Sequence, residues 1–238
     1  TKYLMSFEGN RIVVIIPAFN EEKSISKVIN AIPNIVDEII VINNGSDDST
    51  AIKASISGAK VIREDRKGYG YACLKGIDYL HKNPPDIVVF LDGDYSDYPE
   101  DLGTVIKPIL EKNVQFVVGA RVKFLREKGA LTPQQIFGNA LACFLMKLLY
   151  NANFTDLGPF RAIGWKNLLA LEMSDKTYGW TVEMQLKVLR RKIKYIEVPV
   201  RYRKRIGYSK VSGTIEGTIM AGYKILTWIG KFYFSKWK

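Results

Sequence analysis

Two carboxylates one residue apart, Asp92 and Asp94 around Gly93, directly follow the apolar, β-branched run Ile87-Val88-Val89-Phe90-Leu91. A run of that kind reads as a buried strand, which puts both acids at its C-terminal mouth, the edge of an open α/β sheet where ligands bind. Hard oxygen ligands at this spacing suit Mg²⁺ or Mn²⁺ carrying a nucleoside diphosphate. Asp94 is expected to hold the cation directly, with Asp92 as a second contact or as a partner of the ribose. The plainer reading is a solvated acidic turn, since Asp and Gly are ordinary turn formers.

Other polar loops belong with this pair. Pro17-Ala18-Phe19-Asn20-Glu21 and Asn43-Asn44-Gly45-Ser46 each end an apolar run, and Arg66-Lys67-Gly68-Tyr69-Gly70 precedes a helical pattern. Phe19 can stack on a base, while Glu21 and Asn44 offer polar groups to a ribose or a base edge. The free amides ahead of the helix after Gly68 can face phosphate, although a lone Gly-x-Gly is equally an ordinary turn. The single histidine, His81, reads as a surface residue at a helix end.

The charge is uneven. The chain has 238 residues and a formal net charge of +11, and its basic residues crowd the last third, from Lys187 through Arg201, Arg203, Lys204, Arg205 and Lys210 to Lys238. An anionic partner is expected at that end: an anionic membrane surface, a phosphorylated substrate or nucleic acid, with a solvated basic face as the bland alternative. Nucleic acid leaves the converging polar loops and the paired aspartates unexplained and is set aside. Cys73 and Cys143 have neither C-x-x-C spacing nor a neighbouring histidine, so they read as core thiols in a reducing compartment. The first ten residues lack the apolar core of a secretory signal, and no run reaches the roughly 18 apolar residues of a spanning helix. The chain is therefore expected not to cross a membrane.

The elements that must position these groups follow from periodicity. Strands are expected at 11–17, 38–42, 60–62, 87–91 and 116–119, alternating with helices at 24–32, from about Asp48, and at 71–81. Continuous apolar strands alternating with helices predict an α/β fold with a mostly parallel sheet covered on both faces. Beyond Leu125 come an amphipathic helix over 133–150, a loop over 156–161, a helix over 181–191, a strand over 195–200 and a basic loop over 201–210. The expected division is a catalytic domain over 1–213 and a tail over 214–238, whose helix either lies on a membrane or packs on the domain.

Taken together, Pro17 to Glu21, Asn43 to Ser46, Lys67 to Gly70 and Asp92-Gly93-Asp94 resemble the successive donor-site segments of family 2 glycosyltransferases with the nucleotide-sugar-binding GT-A fold. Asp156-Leu157-Gly158-Pro159-Phe160-Arg161, Val182-Glu183-Met184, Glu197 to Val200 and Arg205 to Lys210 are similar to the polyprenyl-phosphate mannose and glucose synthases. The resemblance implies inverting transfer from a UDP- or GDP-linked sugar to dolichyl or undecaprenyl phosphate, with Mg²⁺ or Mn²⁺. The enzyme would sit peripherally on the cytoplasmic membrane face. It implies donor contacts from Pro17, Ala18, Phe19, Asn20, Glu21, Asn44, Ser46, Lys67, Gly68, Asp92 and Gly93. Acceptor contacts would come from Arg121, Arg205, Ser209 and Lys210, and catalysis from Asp94, Asp156, Arg161 and Arg205. Arg161 either steers the acceptor phosphate or pairs with Asp156 or Glu183. Asp156 is either the base for a hydroxyl acceptor or a turn residue; a nucleotidyltransferase is disfavoured by the acceptor-side likeness. Two departures stand out: Asn43-Asn44 replaces the common Asp-Asp, and Ser96 stands where a metal-loop glutamine is common.

Overall fold

The computed structural model describes residues 9–111, 113–207 and 215–235. Strands β1 (Ile12–Ala18), β2 (Glu38–Asn43), β3 (Lys60–Arg63) and β4 (Ile87–Phe90) alternate with helices α1 (Ile25–Ala31), α2 (Thr50–Ile56) and α3 (Tyr69–Leu80). After a short 3-10 turn, Pro99–Asp101, come α4 (Leu102–Glu111), β5 (Phe116–Ala120) and α5 (Pro133–Tyr150). The chain continues through β6 (Arg161–Gly164), α6 (Trp165–Leu171), α7 (Trp180–Arg190), β7 (Tyr195–Pro199) and α8 (Ile215–Phe234).

Seven strands form one sheet in the order β3-β2-β1-β4-β6-β5-β7, with β3 and β7 at its edges. All neighbours are parallel except β6, which runs antiparallel to both β4 and β5. The strand alternation sorts β1 cleanly between two cores. Val13 and Ile15 face the layer of α3, α5, α6, α7 and α8, while Ile12, Val14 and Ile16 face α1, α2 and α4. A strand buried on both faces needs apolar residues at both parities, which is why β1 reads as an unbroken aliphatic run.

Three elements escape the periodicity reading: α4, β6 and α6. The correction that matters is β6. Residues 161–164 were expected to lie at the end of and beyond a loop, yet they form a strand inserted between β4 and β5, and Arg161 is its first residue. Its four residues, Arg-Ala-Ile-Gly, are too short and too mixed to show a period.

Helix α5 begins and ends where its sequence says it should. Thr132 Oγ1 accepts from the Gln135 amide (3.2 Å), Gln135 Oε1 accepts from the Thr132 amide (2.9 Å), and Pro133 takes the first helical position. Asn151 closes the helix in the left-handed region, at φ 53°. Reciprocal capping and a terminal Asn satisfy amides and carbonyls that would otherwise be orphaned.

Candidate active site

The strand order reverses beside β1, which pairs with β2 on one side and β4 on the other. At such a switch point the chain leaves the two strand ends in opposite directions and opens a crevice above the sheet. The loop from Phe19 to Glu21 flanks it on one side and Asp92 to Asp94 on the other. The last bond between β1 and β4 runs from the Leu91 amide to the Ile15 carbonyl (3.2 Å), so the missing donor of Pro17, two residues on, costs the ladder nothing.

Asp94 is buried. Its Oδ1 accepts from the Ser96 amide (2.8 Å), its Oδ2 meets Arg205 Nη2 (2.9 Å), and its carbonyl accepts from the Ile206 amide (3.0 Å). Asp92 is held differently: its Oδ1 is buried with no hydrogen-bond partner. Burial, and then the charge of Asp94, push its carboxyl up to about 7. The Tyr69 hydroxyl stands close enough to Asp92 to be raised by burial and by that charge, without a well-formed bond between them.

Asp97 is a site residue that the sequence reading missed. Both of its oxygens are buried without partners, and burial together with Asp92 and Asp94 raises it well above the usual carboxylate range. The available signal was a third acid in the run Asp92-x-Asp94-x-x-Asp97. Among the described residues, no three His, Cys, Asp or Glu side chains are grouped so as to hold a metal ion. The Ser96 hydroxyl, also buried, has no partner.

On the donor side, polar side chains knit one strand-end loop to the next. The Asn20 amide donates to Ser46 Oγ (3.0 Å), and the Asp47 amide donates back to Asn20 Oδ1 (3.0 Å). Asn20 itself lies in the left-handed region, φ 55°, which asparagine tolerates better than most residues. Glu21 is buried, with its amide donating to Thr50 Oγ1 (2.8 Å) and its Oε2 accepting from Ser24 Oγ (2.9 Å). Phe19 is half-buried with the Lys67 ammonium over its ring, 5.1 Å from the centroid.

Asn44, expected to contact the donor, is bonded to the 64–68 segment in this structure. Its Nδ2 donates to the carbonyls of Glu64 (3.0 Å) and Arg66 (2.8 Å), and its Oδ1 accepts from the Gly68 amide (2.8 Å). A carboxylate has no hydrogens for those two carbonyls, so Asn rather than Asp at this position follows from the turn that it holds.

Where the acceptor was expected, Asp156 and Arg121 form a bidentate pair, Oδ2 to Nε at 2.8 Å and Oδ1 to Nη2 at 2.6 Å, and the Arg121 amide adds a third bond (2.7 Å). Burial alone would raise the Asp156 carboxyl, but the charge and hydrogen bonds of Arg121 outweigh it and hold it below its ordinary range. While that pair holds, the acid is a poor proton acceptor. Gly158 is required there, because a Cβ would overlap the Gly119 carbonyl oxygen and crowd Asp156. Glu197 fixes the same loop, accepting from the amides of Thr155 (2.8 Å) and Asp156 (3.1 Å).

Arg161 is corrected on both of its expected roles. It is fully buried, donates to the carbonyls of Thr181 (3.0 Å), Leu157 (3.2 Å) and Gly158, and makes no ion pair with Asp156 or Glu183. Burial depresses its guanidinium to about 10. As the first residue of a central strand it staples the 157–158 loop to α7 from inside. Glu183 serves its own loop through the Ser174 and Asp175 amides, with Lys187 beside it at 2.8 Å.

The basic C-terminal third is partly spent on the fold. Arg201 is bidentate with Asp101, and Arg203 stacks on Tyr95 and Tyr98 while donating to the Tyr95 carbonyl (2.7 Å). With the Arg203 amide on the Ser96 carbonyl (2.9 Å), these contacts lay 201–206 along 94–97 and deliver Arg205 to Asp94. Ser209 and Lys210 lie outside the described residues.

A cleft of about 240 Å³ opens beside Arg121 and Asp156, lined also by Lys123, Arg126, Ile136 and Asn139. Its rim is continuous with α5, whose Ile136, Phe137, Phe144 and Leu148 are exposed, as is Phe124. A larger open groove of about 690 Å³ runs along β7 by Leu189, Lys192 and Tyr195, and none of the candidate residues lines it.

The sequence model "Glycosyl transferase family 2" matches residues 13–170, a span that contains the paired carboxylates. The chain belongs to that family. It is a glycosyltransferase with a GT-A-like fold. It is 32% identical over 216 residues to an uncharacterized glycosyltransferase of Mycobacterium tuberculosis, covering 90% of this chain and 95% of that one. It is 31% identical over 239 residues to the UDP-N-acetylglucosamine–dolichyl-phosphate N-acetylglucosaminyltransferase of Methanococcus voltae, covering 90% and 92%. Among solved structures it resembles glucosyl-3-phosphoglycerate synthase from Mycobacterium tuberculosis in complex with Mn²⁺, UDP and phosphoglyceric acid. The TM-score is 0.79 at 22% identity, over 98% of this chain and 82% of that one.

Proposed function

We propose that this glycosyltransferase moves a sugar from a UDP- or GDP-linked donor to a polyprenyl phosphate at an anionic membrane surface. One observation carries the reading: the cationic cleft of Arg121, Lys123 and Arg126 opens directly onto exposed apolar residues of α5. A phosphate site beside an uncharged apolar face suits an acceptor that is both phosphate and lipid. The dolichyl-phosphate specificity in the name of the M. voltae relative supports it.

Asp92 and Asp94 fit a divalent cation, since a buried carboxylate oxygen without a partner is chemically incomplete. Bound there, Mg²⁺ or Mn²⁺ would act as a Lewis acid on the departing nucleoside diphosphate. Phe19 supplies a ring for the base, and Lys67 and the Gly68 turn lie on the diphosphate side. Arg205, now on Asp94, is close enough to the pair to meet the diphosphate. The acceptor phosphate, steered by Lys123, Arg126 and the free edge of Arg121, attacks the anomeric carbon with one of its oxygens. The bond to the diphosphate oxygen breaks on the opposite side, and configuration inverts. A phosphate oxygen is already anionic at neutral pH and needs no strong base, which agrees with Asp156 being committed to Arg121.

Among the described residues no helix is long and apolar enough to cross a membrane. Attachment is assigned instead to the outer faces of α5 and α8, where Ile219, Tyr223, Leu226 and Phe234 are exposed. The cytoplasmic leaflet, which carries anionic lipid, matches a chain of charge +11.

The second reading is a soluble phosphorylated acceptor, favoured by the phosphoglyceric acid bound in the similar solved structure. A screen of UDP- and GDP-sugars against polyprenyl phosphate in mixed micelles and against 3-phosphoglycerate decides between them. The expected result is a lipid-linked sugar with release of nucleoside diphosphate. Turnover with phosphoglycerate and none with polyprenyl phosphate would replace the lipid reading with the soluble one.

A further inference from the structure

Helix α8 is fastened to the donor side of the molecule by one carboxylate. The side chain of Asp175, between α6 and α7, is wholly buried. Its Oδ1 accepts from the amides of Thr177 (2.7 Å) and Gly179 (3.0 Å). Its Oδ2 accepts from the Trp228 indole (2.6 Å) and faces the Lys224 ammonium (3.2 Å), both on α8. Burial alone would raise this acid, yet the bonds from Trp228, Thr177 and Lys224 lower it.

The backbone of the same residue presses on the Lys67–Gly70 turn. A Cβ on Gly70 would overlap the Asp175 carbonyl oxygen, and one on Gly68 would overlap that of Lys176. The Tyr71 amide donates to the Lys176 carbonyl (3.1 Å), Gly68 donates to Asn44, and Tyr69 stands against Asp92. Where backbone meets backbone through glycines, no flexible side chain absorbs a displacement, so a shift at Asp175 moves the turn. On α8, Ile229 and Phe232 pack inward while Ile219, Tyr223, Leu226 and Phe234 face out. Whatever seats the outer face therefore bears on Asp175 through the inner one.

We propose that Asp175 is a positioning residue that makes nucleotide affinity depend on the seating of α8, so that docking of its outer face on anionic lipid tightens donor binding. This rests on the reading of Lys67 to Gly70 as a donor-side turn.

The test is calorimetric affinity of the full chain for UDP and for GDP, each with Mn²⁺, with and without vesicles of phosphatidylcholine and phosphatidylglycerol. For the wild type, vesicles are expected to tighten binding of the preferred nucleotide about 5-fold or more, the low end of ordinary coupling. Trp228→Phe and Lys224→Met each remove one contact and spare the bonds to Thr177 and Gly179. They should bind nucleotide more weakly and lose the vesicle response while still sedimenting with vesicles. Wild-type affinity indifferent to vesicles, or an unchanged response in Trp228→Phe, overturns the coupling. Lys67→Ala separates the two ideas: weakened nucleotide binding there with none in Trp228→Phe sinks the coupling alone. Unchanged affinity in Lys67→Ala removes the donor turn and the coupling with it.

Discussion

The two sides of the strand mouth are built on opposite principles. Between β1 and β2 the polar side chains are spent on one another's backbone: Asn20 on Asp47, Ser46 on Asn20, Asn44 on three groups of the 64–68 segment. Between β5 and β7 the same mouth is held by charge, with Arg121 on Asp156, Arg201 on Asp101 and Arg205 on Asp94. Neutral hydrogen bonds fix a shape at any ionic composition, whereas an ion pair can exchange its partner for a metal or a phosphate. Under the proposed function, a preformed nucleotide cradle thus faces an acceptor side whose charges are able to change hands.

The strongest way to break this contrast is at Asp94, which serves both sides. Asp94→Asn should lower sugar transfer about 100-fold or more, beyond the loss expected from altering a mere supporting contact. Its thermal midpoint should stay near wild type. Transfer near the wild-type rate with unaltered metal dependence would remove Asp94 from the cation.

Next in size is the Arg121–Asp156 pair. Arg121→Met leaves a buried carboxylate uncompensated and should cost about 3–5 kcal/mol in stability, along with acceptor use. Lys123→Ala should weaken acceptor use alone. The pair also predicts a pH dependence. Asp156 has a depressed folded value, so its contribution is complete above the unfolded carboxylate value of about 4 and is lost as pH falls through the lower folded value. Denaturant melts of wild type and Asp156→Asn should therefore differ most at neutral pH and converge in acid; a constant gap down to pH 2 would deny the ion pair its role.

How much of this was legible beforehand divides along the same line. The donor-side loops after β1, β2 and β4 were readable because each follows a continuous aliphatic strand, and Asp92-Gly93-Asp94 could be placed at a strand mouth from Ile87 to Leu91 alone. The acceptor side was not, because arginines look alike in sequence. Arg161 opens one short strand and Arg121 follows another, yet insertion of the antiparallel β6 sends Arg161 into the core, while Arg121 remains at the mouth. Helix α5 was readable to its termini from Thr132, Pro133 and its apolar spacing, but its exposed Phe137, Phe144 and Leu148 were not. Periodicity shows that two faces of a helix are apolar without telling which of them is covered.

That uncovered face sets the third prediction. Phe137→Glu with Phe144→Glu should weaken binding to anionic vesicles about 10-fold or more while leaving nucleotide affinity measured without vesicles intact, since each buried aromatic contributes roughly 1.5–3 kcal/mol on leaving water. Full vesicle binding by this variant would confine attachment to α8. The smallest expected effect is at Asn44. Asn44→Asp removes both donors to the Glu64 and Arg66 carbonyls and should cost about 1–3 kcal/mol, with nucleotide affinity falling as the Gly68 turn loosens. A variant as stable and as avid as wild type would mean that the turn holds itself.

The sheet's two borders bear on how the protein behaves when crowded. An open sheet invites a foreign strand wherever a long, flat, apolar border offers unpaired amides. Here β3 has only four residues and begins and ends with the exposed cations Lys60 and Arg63, so a second copy approaching edge-on meets like charge. At the other border, β7 ends in Pro199, which has no amide to offer. Beside it Tyr195 and Glu197 already occupy the amides of Asn153, Thr155 and Asp156, donors that would otherwise seek a ladder. Growth by strand addition is thus disfavoured by charge at β3 and cut short by the proline at β7.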